Sequence, residues 1–139
     1  MLSADTVITV QFYDLDPMNV VWHGNYPRFL EQARCVLLDR IDYNYARMRE
    51  SGYAWPIVDM RIKYVLPIHM AEAIVVTASL VEYEHRLKLD YRIRRQGDGE
   101  VLTKAQTIQV AVRIETGELM LESPAVLIEK IQALSCATG

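Results

Sequence analysis

Asn25-Tyr26-Pro27-Arg28-Phe29-Leu30-Glu31-Gln32-Ala33-Arg34-Cys35-Val36-Leu37-Leu38-Asp39-Arg40-Ile41 is the stretch that decides the fold of this chain. Phe29, Leu30, Ala33, Val36, Leu37 and Ile41 recur at helical spacing and make one apolar stripe. Asn25 or Tyr26 stands where an N-cap belongs, and Pro27 falls in the first turn, where proline is tolerated. The stripe is wide enough to be wrapped by a sheet. Asp42-Tyr43-Asn44 breaks the helix, and Tyr45 to Glu50 reads as a short second one, closed by Ser51-Gly52.

On either side the pattern turns to strands. Thr6 to Tyr13 is β-rich and alternates weakly. In Val58-Asp59-Met60-Arg61-Ile62-Lys63-Tyr64 the even positions are apolar, and Pro67 ends the run. Glu72 to Glu84 is a second β-rich run. From Arg86 to Arg94, Leu87, Leu89, Tyr91 and Ile93 face one way, while Arg86, Lys88, Asp90, Arg92 and Arg94 face the other. Gln96-Gly97-Asp98-Gly99 is a hairpin turn, Val101 to Ile114 a further strand and Thr116-Gly117 another turn. Ser123-Pro124 opens a C-terminal helix carrying Val126, Leu127, Ile131 and Leu134. One strand, one long helix and then strands in succession give an α+β class, an antiparallel sheet around a dominant helix. Segregation of helix and strands excludes an alternating parallel fold.

At 139 residues the chain is expected to be a single domain, residues 1–139, large enough for a core without metal or disulfide staples. A formal charge of −3 excludes a general nucleic-acid binder, which needs a net basic footprint. Cys35 and Cys136 lie far apart and outside any ligand motif, and His69 and His85 have no metal partners at usable spacing. Neither a metal nor another cofactor is expected. No apolar core of a signal peptide follows Met1, and the apolar runs fall far short of the ~20 residues that span a bilayer. The expectation is a cytoplasmic protein without membrane partners.

The chemistry concentrates just before the helix, in Asp14-Leu15-Asp16-Pro17-Met18-Asn19-Val20-Val21-Trp22-His23-Gly24. A carboxylate can cleave an acyl group by attacking it or by activating water, and either route needs donors aimed at the developing oxyanion. A helix N-terminus supplies unpaired N–H groups and a favourable dipole. About ten residues separate acid from helix, enough for the loop to fold back and present both to one ligand.

Asp-x-Asp-Pro-x-x-Val-Val-x-His-x-x-Tyr, followed by Phe29-Leu30-Glu31-Gln32-Ala33-Arg34 and later by Tyr64-Val65-Leu66-Pro67, resembles the hotdog-fold acyl-CoA thioesterases of the 4-hydroxybenzoyl-CoA thioesterase type. The resemblance covers nearly the whole chain. It implies a five- or six-stranded antiparallel sheet wrapped around the long helix, and homodimers that pair edge to edge and often form homotetramers. It implies hydrolysis of an acyl, possibly aromatic, thioester of coenzyme A or of acyl carrier protein. It places the active acid at Asp16 and the oxyanion donors at the backbone N–H groups of His23 and Gly24, with the His23 imidazole as a further catalytic candidate. The family usually has Gly where this chain has Asn19, a position that can require positive φ, and Gly-Asp where it has Ala71-Glu72.

Asp14 reads as structural beside Asp16. Trp22 and Tyr26 are candidates for the acyl pocket. Glu31, a possible rival acid, has Arg34 at i, i+3 and reads as half of a salt bridge. Arg86, Lys88, Arg92 and Arg94, joined by Arg61 and Lys63, form a basic row that suits the phosphates of coenzyme A or a solvated face. Two other functions compete: a β-hydroxyacyl-thioester dehydratase pairing His23 with Glu31, and a non-catalytic acyl-thioester binding domain.

Overall fold

The computed structural model describes residues 2–138, with backbone only for 136–138, so the Cys136 thiol lies outside the described residues. The elements in chain order are β1 (Ser3–Thr9), α1 (Tyr26–Ile41), α2 (Tyr45–Glu50), β2 (Tyr53–Ala54), β3 (Ile57–Tyr64), β4 (Ala73–Glu82), β5 (Leu87–Arg95), β6 (Val101–Gln109), β7 (Val112–Arg113) and α3 (Ala125–Thr138). The large sheet has five strands in the order β1-β4-β5-β6-β3, with every pair antiparallel. It wraps α1, which packs on β1 and β4, and this is the hotdog arrangement expected from the resemblance. No helix among the described residues is long and apolar enough to cross a membrane.

The helix stripe sets the core. Phe29, Leu30, Ala33, Leu37 and Leu38 are all at 0% exposure. Val36, expected in the stripe, is 37% exposed, and Leu38 takes the buried place instead. The sheet answers with Ile74, Val76 and Ala78 of β4 and Leu87, Leu89 and Ile93 of β5, also fully buried. Each large apolar side chain so removed from water contributes about 1.5–3 kcal/mol. Asp42, with φ of 60°, closes α1 in the left-handed conformation.

A charged residue, Arg34 of α1, lies against this core. Arg34 sits at 3% exposure, and its Nε donates to Tyr45 Oη at 2.9 Å. Nη1 donates to Tyr91 Oη at 3.4 Å, and that phenol shares a 2.8 Å hydrogen bond with Thr107 Oγ1. Glu31 Oε2 lies 3.3 Å from Nη2, the salt bridge expected from the spacing. Burial disfavours the guanidinium charge, but the phenol oxygens of Tyr91 and Tyr45 more than offset this and raise its pKa.

Three boundaries differ from the sequence expectation. The first strand stops at Thr9, and Phe12–Asp14 coil into a 3-10 turn because Gln11 N–H turns back to Asp14 Oδ2 at 2.9 Å. The expected strand from Val101 to Ile114 splits in two. After Gln109, whose Nε2 donates to Trp55 O at 2.7 Å, the chain leaves the sheet, and Val112–Arg113 pair with Tyr53–Ala54. On β3 the alternation survives but burial does not: Val58, Met60 and Tyr64 are 56%, 36% and 47% exposed. The strand is a sheet edge, and a register shift between Ile57 and Asp59 breaks its phase.

Ala71 occupies the left-handed region at φ 67°, where the family usually has Gly. Its N–H bonds Val10 O at 3.0 Å, which leaves the turn no freedom to relax. A Cβ there costs roughly 1–2 kcal/mol, partly offset by the lower unfolded-state entropy of Ala. Ala71→Gly is therefore expected to stabilise the protein by about 0.5–1 kcal/mol, raising Tm by about 2–3 °C in a thermal melt.

Candidate active site

Asp16 stands at the tip of a short hairpin. Leu15 bridges Val21, Asp16 N–H bonds Val20 O at 2.9 Å, and Asn19 N–H returns to Asp16 O at 3.0 Å. Asn19 adopts φ 65°, so the family's usual Gly position does require the left-handed region here. Asn tolerates that conformation better than most residues with a Cβ. The Asp16 carboxylate folds over its own turn: Oδ1 accepts Met18 N–H at 2.8 Å and lies 3.5 Å from Val20 N. Oδ2 accepts nothing from the described residues. One oxygen fixes the group and the other stays available.

Asp14 does different work. It is 2% exposed, its Oδ1 pairs with Arg28 Nη2 of α1, and its Oδ2 receives Gln11 N–H. Its carbonyl accepts Trp22 N–H at 2.9 Å and Asn25 Nδ2 at 2.8 Å. The side chain of Asn25, expected as a helix cap, thus ties the loop to the helix start and makes no side-chain capping bond.

Between loop and helix, His23–Asn25 form a 3-10 turn that runs into α1. Asn25 N–H bonds Trp22 O, whereas the N–H groups of His23 and Gly24 donate to nothing among the described residues. Tyr64, at the end of β3, donates its hydroxyl to His23 O at 2.9 Å. A carbonyl and the following N–H point opposite ways in a trans peptide, so this bond also fixes the direction of the Gly24 N–H. The Trp22 indole lies over Gly24, where a Cβ would meet its ring carbons at 2.5 Å; only glycine admits this packing. The His23 imidazole is exposed and contacts the Trp22 ring, with centroids 5.3 Å apart.

A cavity of 320 Å³ opens here, walled by Asp16, Met18, His23, Tyr26, Tyr64 and Leu66 among others. Three other hollows are larger, a groove of 390 Å³ on the outer sheet face, an apolar one of 410 Å³ beside α2 and one of 440 Å³ lined by Arg49, Tyr53 and Arg113 among others. Size does not choose between them. The 320 Å³ cavity is lined by Asp16, a carboxylate with a free oxygen, and by His23, whose N–H has no partner among the described residues, with the unpaired Gly24 N–H next along the chain, and that combination serves acyl transfer. The arrangement joins Asp16, His23 and Tyr26. Glu31 is held by Arg34 and does not line the cavity, so the His23–Glu31 pair of a dehydratase is not assembled within the protomer.

The basic residues divide. Lys63, Lys104 and Arg92 stand in register on β3, β6 and β5, and with Arg61 they line the outer groove. Arg86 binds Glu82 at 3.1 Å, and Lys88 stands opposite Glu82, at the far end of β5 from Arg92. Sequence reasoning did not single out Tyr64, Arg28 or Lys104. Lys104 alone left a signal, as the one cation between Val101 and Gln109.

The chain is similar in sequence and fold to known thioesterases. The acyl-CoA thioesterase candidate YneP of Bacillus subtilis (strain 168) is 30% identical over 110 residues, covering 78% of this chain and 79% of its own. The long-chain acyl-CoA thioesterase FadM of Escherichia coli (strain K12) is 28% identical over 131 residues, or 93% and 97% of the two chains. The crystal structure of the DHNA-CoA thioesterase from Staphylococcus aureus superposes with a TM-score of 0.83 at 26% identity, covering 100% of this chain and 97% of the other. The family model of the thioesterase-like superfamily matches residues 10–131, and the chain belongs to that superfamily.

Proposed function

We propose that the protein hydrolyses acyl-CoA thioesters to the free acid and the CoA thiol, with Asp16 as the active carboxylate. One observation carries the reading: a hairpin fixes Asp16 through Oδ1 and leaves Oδ2 without a partner among the described residues, while Asp16 and His23 line the same cavity. The carboxylate delivers the oxygen that displaces sulfur, either its own, with water then hydrolysing the resulting anhydride to the free acid and Asp16, or that of a water it deprotonates. The carbonyl oxygen turns negative as the tetrahedral intermediate forms and is held by the His23 and Gly24 N–H groups. Because Tyr64 fixes the intervening peptide, that donor is oriented before substrate arrives. The thiolate then leaves with the electron pair of the broken C–S bond. Met18, Val20, Val21 and Leu66 give the cavity apolar walls that suit an apolar or aromatic acyl group, while Trp22 is not among its walls and packs over Gly24. The imidazole of His23 is an auxiliary contact; its N–H is the essential part.

The relatives' names favour coenzyme A as carrier, and so does the outer sheet face. Lys63 is the residue before Tyr64 and starts the row Lys63–Lys104–Arg92, none of which has an ion-pair partner among the described residues. In this reading the nucleotide phosphates of the substrate rest there, with Arg92 and Lys104 central. Arg86 is engaged by Glu82, and Lys88 stands four residues along β5 from Arg92. The protein acts as a dimer in which two β3 edges pair, which covers the exposed Val58 and Met60.

Asp16→Asn is expected to lose at least ~100-fold in kcat, with melting temperature and oligomeric mass unchanged; full turnover in that variant removes the assignment. Lys104→Glu is expected to raise KM for an acyl-CoA about tenfold at low salt and to leave KM for the matching acyl-pantetheine unchanged. Equal changes for both substrates would show that the row does not hold phosphate. Light scattering should give a dimer or larger assembly for the wild type and a smaller mass for Met60→Lys; a monomeric wild type contradicts the edge pairing.

A further inference from the structure

We infer that Tyr26 is a further catalytic residue, its hydroxyl donating a hydrogen bond to the acyl carbonyl oxygen of the bound thioester. The inference rests on the reading of Asp16 as the active acid.

Three tyrosines are almost wholly buried: Tyr43 at 0%, Tyr91 at 2% and Tyr26 at 3% exposure. Tyr43 Oη shares a 2.8 Å bond with Ser51 Oγ and accepts Trp55 Nε1 at 3.2 Å. Tyr91 Oη shares its bond with Thr107 and accepts from Arg34. Tyr26 Oη bonds nothing among the described residues. Its oxygen is nevertheless not sealed off, so an incoming group can reach it. That group comes from whatever fills the cavity, because Tyr26 lines that cavity together with Asp16 and His23.

The ring is placed as firmly as a catalytic group needs. Tyr26 opens α1, so its backbone is fixed by the helix. Its ring meets Tyr64 edge-on at 4.6 Å between centroids and packs against Phe29 at 6.2 Å. Tyr64 therefore supports two donors at once: the peptide after His23 through a hydrogen bond, and the Tyr26 phenol through packing.

The chemistry excludes a base. Burial, and then the neighbouring Tyr64 and Asp16, push the Tyr26 pKa up to about 12, so the phenol keeps its proton through neutral pH. A protonated phenol beside an acyl carbonyl stabilises the oxyanion as a third donor, and no proton leaves Tyr26 during the reaction. Asp16 remains the group that delivers oxygen.

Tyr26→Phe tests this, because it keeps the ring packing and removes a hydroxyl the chain does not use. The expected result is a ~100-fold lower kcat, the usual scale for one oxyanion donor, with KM within about threefold and Tm unchanged or slightly raised. A ketone analogue with CH2 in place of the thioester sulfur keeps the carbonyl, and should bind Tyr26→Phe about tenfold more weakly than wild type. The matching thioether without carbonyl should bind both equally. Wild-type kcat in Tyr26→Phe, or equal ketone affinity, overturns the inference. Asp16→Asn run alongside separates the two failures: inactive Asp16→Asn with fully active Tyr26→Phe sinks only the role of Tyr26, whereas active Asp16→Asn sinks the site reading on which it rests.

Discussion

The carboxylate of Asp14 is buried under the loop with Arg28 on one oxygen and Gln11 N–H on the other, while its carbonyl holds Trp22 and Asn25. Through these four contacts a single residue connects the end of the first strand's turn, the hairpin of Asp16 and the first turns of the long helix. A buried charge without its partner costs several kcal/mol, so the three segments stay together or the carboxylate is stranded. This fixes the distance between Asp16 and the helix start without Asp16 taking part in the anchoring. The two aspartates divide the labour of scaffold and chemistry across one intervening residue.

The helix, the strands and the chemistry-bearing loop were legible because each rests on local rules. Apolar residues at helical spacing bury a stripe, alternating ones bury a strand face, and Asp-x-Asp-Pro before a helix start points to a turn beside free N–H groups. Asn19 is a good case: the resemblance marked a Gly position, and the backbone there is left-handed. What stayed hidden depends on contacts between distant residues. Nothing near Tyr64 in the sequence announces that its hydroxyl meets His23, 41 residues away. Lys104 joins Lys63 and Arg92 only through strand order, since the three come from different strands. The exposure of Val58 and Met60 follows from the edge position of β3, which alternation alone does not report.

The edge of β3 connects these hidden features. One face of the strand carries Tyr64 to the cavity, and the other carries Lys63 to the basic row. Like charges in register on adjacent strands are unfavourable unless something anionic lies across them. In a chain of net charge −3 such a row also gives an anionic substrate a local attraction that the molecule as a whole lacks.

The polar groups of the interior separate by whether the chain itself satisfies them. Arg34 has two phenols and a carboxylate, Asp14 has a guanidinium and a backbone N–H, and Tyr43 and Tyr91 each have hydroxyl partners. All of these rigidify the fold, and none reaches the cavity. Asp16 Oδ2, the His23 and Gly24 N–H groups and Tyr26 Oη lack partners, and they gather at the start of one helix. Buried polar atoms without a partner among the described residues also occur elsewhere, at Thr103 Oγ1, Gln109 Oε1 and Ser123 Oγ, but none of these residues lines the cavity. In the proposed reaction the groups beside the helix start act together, Asp16 Oδ2 as the acceptor and the N–H groups and the Tyr26 phenol as donors to the carbonyl oxygen.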